Sequence, residues 1–286
     1  MILWLLILLL VLVSLSLGLS FALTKRAFLK EIHTPAEFGL AFEEIAFPTP
    51  DGLTLGGWLV PPAGLDGPAN KVVVILHGHG GSIDYDVRYI PYLHAAGYSV
   101  LQFDFRAHGR SQGRATTFGY LERRDVQGAV RFLRSRGYNR IALHGFSLGG
   151  MVAMLSAPIC PEVSLVVDDG GPARLRTALK GWCLERNIPA WLAPALAWLV
   201  IVGTSLRFGD NLFRFEPVRW VGQIAPRPLM MIHGEHDQYV TDFDDLLKAA
   251  HPTEVWRLAD EGHVTASINL GAAYWQRVIT FLDKYL

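Results

Sequence analysis

Residues 140–157 read RIALHGFSLGGMVAMLSA, and this stretch changes character in its middle. Its first half is a short apolar run of strand length, and its second half, from about Gly149 to Ala157, is a run of small and apolar residues that suits a helix. Between them stands Gly145-Phe146-Ser147-Leu148-Gly149, the pattern G-x-S-x-G. Glycine at both ends permits a sharp turn from strand to helix that holds the serine hydroxyl up at the edge of a sheet. The pattern alone arises by chance in about one chain in ten of this length, so the strand before it and the helix after it carry the reading.

Working outward, the same alternation recurs on both sides. KVVVILHGHGG (71–81) is a continuous apolar run ending in glycines, which is how a strand covered on both faces reads. A helix over about 85–96, the strand YSVLQFDFR (98–106) and a helix over about 121–136 lead up to the central stretch. Beyond it come the strand VSLVVDDGG (163–171), a long interruption, the strand PLMMIHGEHD (228–237), a helix over about 243–250, the short strand VWRLAD (255–260) and a final helix through Leu286. Residues 38–61 alternate around the turn signal Asp51-Gly52 and read as a small antiparallel start. The expected fold is α/β, a doubly wound and mostly parallel sheet whose chemistry sits beyond the carboxyl ends of its strands.

A serine hydroxyl is a weak nucleophile at neutral pH, so a histidine must take its proton and a carboxylate must fix that histidine's tautomer. In this fold the chain order is serine, acid, histidine. Asp237 closes the segment MMIHGEHD, and His263 lies in the loop DEGHV before the last helix. Ser147 is therefore read as nucleophile, Asp237 as orienting acid and His263 as general base. Glu235, Asp168 and Asp169 also stand at strand ends and compete for the acid; His233 and His236 compete for the base, although His233 still belongs to its strand. Two backbone N–H groups must face the oxyanion, and position assigns them to His79, in the glycine-rich loop after the first buried strand, and to Leu148. The His79 side chain either lines the pocket or faces solvent, and His144 reads as a packed core histidine.

With 286 residues, 51% of them hydrophobic and 18% charged, the chain can bury one substantial core. The 26 basic and 26 acidic residues balance, which leaves no electrostatic footprint for nucleic acid and favours a small neutral or amphiphilic partner. Cys160 and Cys183 have no metal-ligand spacing and read as buried thiols. No metal or organic cofactor is called for.

Residues 1–23 contain no charged side chain and are long enough to cross a bilayer as a single helix, with Trp4 near one interface. Residues 24–37 read as a linker and 38–286 as the catalytic domain. Lys25, Arg26 and Lys30 follow the apolar run on one side only, which places the catalytic domain in the cytoplasm by the positive-inside rule. The competing reading is a secretory signal cleaved after Ala22, with Ser20 and Ala22 as the small residues; against it stand the missing basic start and a stretch longer than a signal core.

DFRAHGRSQG (104–113) resembles the D-x-R-G-H-G-x-S segment of the α/β-hydrolase superfamily, and the chain from about Phe38 onward resembles that superfamily throughout. Within it the likeness is to Bem46-like and serine-aminopeptidase-type hydrolases, which include esterases and lipases. The segment departs at Ala107, where glycine is usual. The resemblance implies that Asp104, Arg106 and His108 are structural residues of a loop near the site. It also implies that residues 172–226, after the sixth strand, form a helical cap.

The middle of that cap, IPAWLAPALAWLVIVG (188–203), is apolar almost throughout. It reads either as a helix packed over the sheet or as a lid that borders an acyl pocket beside the anchor, with Trp182, Trp191 and Trp198 as its aromatic residues. A second membrane span there is rejected, because it would split the sheet. The expected activity is hydrolysis of carboxylic esters, with hydrophobic or lipid-like acyl groups, through an acyl-enzyme on Ser147. Thioesterase, amidase and acyltransferase chemistry would use the same residues, and a non-catalytic, membrane-tethered binding protein is the alternative of another class.

Overall fold

The apolar runs become strands of one eight-stranded sheet in a computed structural model of the chain, which describes residues 1–27, 33–63 and 70–286. In chain order, helix α1 (Ile2–Thr24) precedes a hairpin of β1 (Glu43–Pro48) and β2 (Thr54–Val60). Pro48 pairs with Thr54 across the Asp51-Gly52 turn, where Gly52 takes φ 86°. Then follow β3 (Lys71–Leu76), α2 (Ile83–Asp86), α3 (Ile90–Ala95), β4 (Ser99–Phe103), α4 (Glu122–Ser135), β5 (Arg140–Phe146), α5 (Leu148–Ser156) and β6 (Val163–Asp169). After these, α6 (Leu175–Glu185) and α7 (Ala193–Phe208) stand between β6 and β7 (Leu229–Gly234), as a helical cap inserted after the sixth strand. The chain closes with α8 (Phe243–Ala250), β8 (Glu254–Leu258), α9 (Ala266–Asn269) and α10 (Ala272–Tyr285).

The strand order is β1-β2-β4-β3-β5-β6-β7-β8, antiparallel over the first two pairings and parallel over the rest. From β3 the chain winds to β4 on one side and then to β5 on the other. The connections leaving β3 and β5 diverge at that switch point and open a crevice at the carboxyl edge. Alternate side chains of β3 enter opposite cores: Val72, Val74 and Leu76 meet Val126, Val152 and Leu246, whereas Val73 and Ile75 meet Ile90, Trp275 and Phe281. Both faces are covered, which is why the run lacks polar alternation.

Two expected elements differ in detail. The helix over 85–96 is divided into α2, a 3-10 turn at Val87–Tyr89 and α3, because Pro91 is suited to a first turn and not to a helix interior. The apolar stretch 188–203 is not one helix: α7 begins only at Ala193, with Pro194 in its first turn, and runs on to Phe208 before Gly209 at φ 70°.

Most of α1 is exposed, but Ser16, Ser20 and Thr24, spaced four apart on one face, are buried against α7. Small residues let the two backbones approach, as in close helix pairs within lipid. A Cβ on Gly203 of α7 would stand 2.0 Å from the Ser16 carbonyl oxygen. Ser20 Oγ and Thr204 Oγ1 share a 2.9 Å hydrogen bond, and Arg207 Nη1 donates to Ser20 Oγ (2.9 Å) and Thr24 Oγ1 (2.6 Å).

At its described ends the 24–37 stretch is held by hydrogen bonds. Thr24 O accepts from Thr116 N at 2.9 Å, Ala27 N donates to Ala107 O at 2.9 Å, and Arg26 donates to the carbonyls of Gly109 and Gly113. Pro35–Phe38 forms a 3-10 turn closed by a Thr34/Glu37 capping box. Lys30 lies outside the described residues.

Candidate active site

Ser147 occupies the turn between β5 and α5 at φ 54°, ψ −114°, a conformation that costs a non-glycine residue about 1–3 kcal/mol. Both flanking glycines are required by contact. A Cβ on Gly145 would lie 2.2 Å from the Gly149 carbonyl carbon, and one on Gly149 would lie 2.0 Å from Leu76 O. The turn is thus wedged against the end of β3, with Ser147 held above it.

Ser147 Oγ lies 2.7 Å from His263 Nε2, and His263 Nδ1 lies 2.7 Å from Asp237 Oδ2. The Asp237 carboxylate is shielded from solvent and also accepts from Tyr239 N at 2.7 Å, while a fifth of the His263 side chain remains exposed. With the carboxylate on one ring nitrogen, the neutral imidazole carries its proton on Nδ1 and offers Nε2 to the serine. The Tyr239 ring stacks on His263 at 4.4 Å between centroids.

Main-chain bonds bring the acid and histidine loops together. Glu235 N donates to Leu258 O and His236 N to Glu261 O, each at 2.9 Å. Gly234 allows that approach, since a Cβ there would meet Glu261 O at 2.4 Å. Helix α6 packs on the same loop through Gly181, whose Cβ would meet Gln238 O at 2.5 Å.

The competing residues are engaged elsewhere. Asp169 Oδ2 accepts from Tyr274 OH (2.8 Å), and Asp168 Oδ1 accepts from Gly171 N (3.0 Å). Burial raises the Asp169 pKa to about 7 and that of Asp168 well above the usual carboxylate range. Glu235 pairs with Arg257 at 3.2 Å, His233 is buried and stacked on Phe243, and His236 is exposed. His144 is buried, bonded to Tyr274 OH at 3.0 Å, and pushed by burial to a pKa of about 3.

Of the two residues expected to donate to an oxyanion, Leu148 opens α5, so its N–H is among those with no partner inside the helix. His79 follows Gly78, whose Cβ would stand 3.6 Å from Ser147 Cβ. The loop carrying His79 is braced from the 104–113 segment: Gly80 N donates to His108 Nε2 (3.3 Å) and Ile83 N to Asp104 Oδ1 (3.1 Å). Arg106 binds Asp125 and Asp51 beneath it. Ala107 sits at φ 60°, which explains why glycine is usual there.

His77 is buried in the same loop with both ring nitrogens committed: Nδ1 donates to Gly78 O (2.8 Å), and Nε2 accepts from Phe105 N (3.0 Å). Burial, then the neighbouring His108, lowers its pKa from 6.5 to about 3. Below pH 6.5 the unfolded chain takes up a proton that the folded chain refuses, so this contribution is full above that pH and is lost as pH falls toward 3. A single such proton gives a slope of up to about 1.4 kcal/mol per pH unit. Unfolding of detergent-solubilised His77→Asn between pH 6 and 4 should therefore show a shallower acid-side loss of stability than the parent. Parallel slopes would refute the assignment.

Ser147 opens onto a pocket whose lining is almost entirely apolar, as small-molecule sites commonly are. Leu175, Leu179 and Trp182, on one face of α6, form one wall; Phe118, Met151 and the His79 ring contribute to the rest. The His79 ring stacks on Phe118 at 5.3 Å, so it lines the pocket. Of Trp182, Trp191 and Trp198, only Trp182 lines this cavity; Trp191 and Trp198 are 81% and 55% exposed. Leu23 of α1 also lines it, a contribution the sequence did not signal. Among the described residues no three His, Cys, Asp or Glu side chains converge as metal ligands, and Cys160 and Cys183 are buried free thiols.

A profile described as the alpha/beta hydrolase family matches residues 73–273, and the chain belongs to that family. Among its relatives, the uncharacterized protein YqkD of Bacillus subtilis is 26% identical over 261 residues, which cover 85% of this chain and 80% of that protein. The alpha/beta hydrolase domain-containing protein WAV2 of Arabidopsis thaliana is 24% identical, over 88% of this chain and 82% of its own. The solved Pyrococcus furiosus esterase Pf2001 superposes with TM-score 0.75 at 25% identity, over 92% of this chain and 98% of its own. Pyrococcus horikoshii acylaminoacyl peptidase shares the fold at TM-score 0.65 and 16% identity, over 86% of this chain and 42% of its own.

Proposed function

We propose that this hydrolase cleaves carboxylic esters with hydrophobic, lipid-like acyl groups through an acyl-enzyme on Ser147. The observation that carries the reading is the unbroken relay from Ser147 Oγ to His263 to Asp237, with 2.7 Å at each step, at the edge of an apolar cavity. In this mechanism His263 Nε2 takes the serine proton as Oγ attacks the ester carbonyl carbon. The resulting oxyanion is met by the N–H groups of Leu148 and His79. The tetrahedral adduct collapses, and the alcohol leaves with the proton from His263. Water, deprotonated by the same nitrogen, then attacks the acyl-enzyme and releases the acid. Asp237 keeps Nδ1 protonated and stabilises the imidazolium without taking a proton itself. The likeness to an esterase favours esters over amides.

In this reading α1 is retained as a single membrane span and the catalytic domain lies on the cytoplasmic side, next to Lys25 and Arg26. Cleavage after Ala22 would remove Ser16 and Ser20, which are buried and tied to α7. One experiment tests both parts. A membrane-permeant fluorophosphonate should label Ser147 in intact cells, whereas an impermeant one should label it only after lysis. Labelling by the impermeant probe in intact cells would reverse the orientation, and no labelling by either probe would remove the serine mechanism.

A further inference from the structure

A second, wholly apolar cavity adjoins the first. Its walls come from Leu19, Ala22 and Leu23 of α1, from α6 beside Trp182, from Ile188 between α6 and α7, and from Leu196 and Val200 of α7. Every side chain lining it is apolar. Leu23, Leu179 and Trp182 belong to both cavities and form the partition between them. Trp182 is half-buried at the junction, and a change of its rotamer would open the partition.

We propose that this second cavity holds the distal part of a long, unbranched acyl chain whose ester carbonyl sits at Ser147, and that α1 is therefore a wall of the substrate site as well as an anchor. The proposal rests on the serine mechanism above and adds to it the class of substrate: a long-chain lipid ester drawn sideways from the bilayer. Three observations point the same way. The cavity has no polar lining group that would fix a headgroup or a sugar, so only hydrocarbon fits it. It adjoins the pocket at Ser147, from which only the shared Leu23, Leu179 and Trp182 separate it. One of its walls is the helix whose preceding turns, Leu3 to Leu12, are exposed and apolar, as a surface in contact with lipid is. A chain passing along α1 from the bilayer moves between apolar surroundings throughout and never meets water. The docking residues keep that wall in place: Ser16, Ser20 and Thr24 hold α1 to α7, and Leu19 and Leu23 lie on the adjoining face of the helix.

The test uses the full chain in lipid nanodiscs and an alkyl fluorophosphonate that carries a sixteen-carbon chain with a diazirine near its far end. Ser147 Oγ bonds to phosphorus as the P–F bond breaks, fluoride leaves, and His263 takes up the serine proton. Irradiation should then crosslink the chain to the α1 peptide around Leu19–Leu23, and Ser147→Ala protein in the same discs should show only the background crosslinking of free probe in lipid. Ala22→Trp, which fills the cavity from α1, should lower the ratio of kcat/KM for a sixteen-carbon over a four-carbon ester by about tenfold or more. Ile188→Trp, which fills it from the segment between α6 and α7, should do the same without a substitution in α1. Labelling of Ser147 with crosslinks elsewhere and unchanged ratios in both folded variants would overturn the acyl route and leave the serine mechanism standing. No labelling of Ser147 would overturn both.

Discussion

Ser147→Ala is expected to lower kcat for a short p-nitrophenyl ester by about 10^4 to 10^6, the range found when a triad nucleophile is removed. The size of the effect follows from what remains. Without Oγ no acyl-enzyme forms, and only the oxyanion donors and the pocket can assist direct attack by water. Stability should change little, because the substitution deletes one oxygen at the mouth of a cavity, where His263 Nε2 can bond to water instead. Circular dichroism and thermal unfolding of the two proteins side by side check that condition. A folded alanine variant that retains a tenth of the activity would show that the nucleophile lies elsewhere.

Asp237→Asn should cost about 10^4 in kcat, by way of the histidine. The carboxylate is the acceptor for His263 Nδ1–H. An amide in its place can turn its NH2 toward Nδ1, which moves the ring proton to Nε2 and leaves that nitrogen unable to take the serine proton. The other acids at strand ends serve as controls. Glu235→Gln removes a partner of exposed Arg257, and Asp169→Asn alters a bond to Tyr274, so each should cost several-fold at most. Asp169 is a poor permanent anion in any case, since burial raises its pKa to about 7. The acid would have to be reassigned if Asp169→Asn matched the expected loss and Asp237→Asn did not.

The sheet was legible because each strand is short, apolar and ended by a glycine or a charged loop, and because the serine, acid and histidine stand in the chain order of the fold. Gly145 and Gly149 could be read as turn formers, and the structure adds that each is also a point of backbone contact. What stayed hidden depends on residues far apart in the chain. Ser16, Ser20 and Thr24 look like incidental polar residues in a leucine run until Gly203 and Arg207 are placed opposite them. The bonds that hold Thr24 and Ala27 to the 107–116 loop are main-chain bonds and leave no trace in residue type. Trp182 could not be told from Trp191 and Trp198 by composition; its position on the face of α6 that carries Leu175 and Leu179 separates it. The divided helix over 85–96 was foreshadowed only by Pro91, a residue that starts helices as readily as it ends them.

If α1 spans the membrane as proposed, its clasp to α7 also sets how deeply the enzyme sits. At 1.5 Å per residue, residues 2–15 supply about 21 Å of unclasped helix, against a hydrocarbon thickness of about 30 Å. With α1 as the span, this is a hydrophobic mismatch that the free turns alone cannot satisfy. The clasped turns must then sink below the headgroups and draw the exposed Trp198 and Leu206 of α7 into the acyl region, or the bilayer must thin around the protein. For an anchored chain, membrane thickness would then be a variable of its environment, capable of sorting it among compartments.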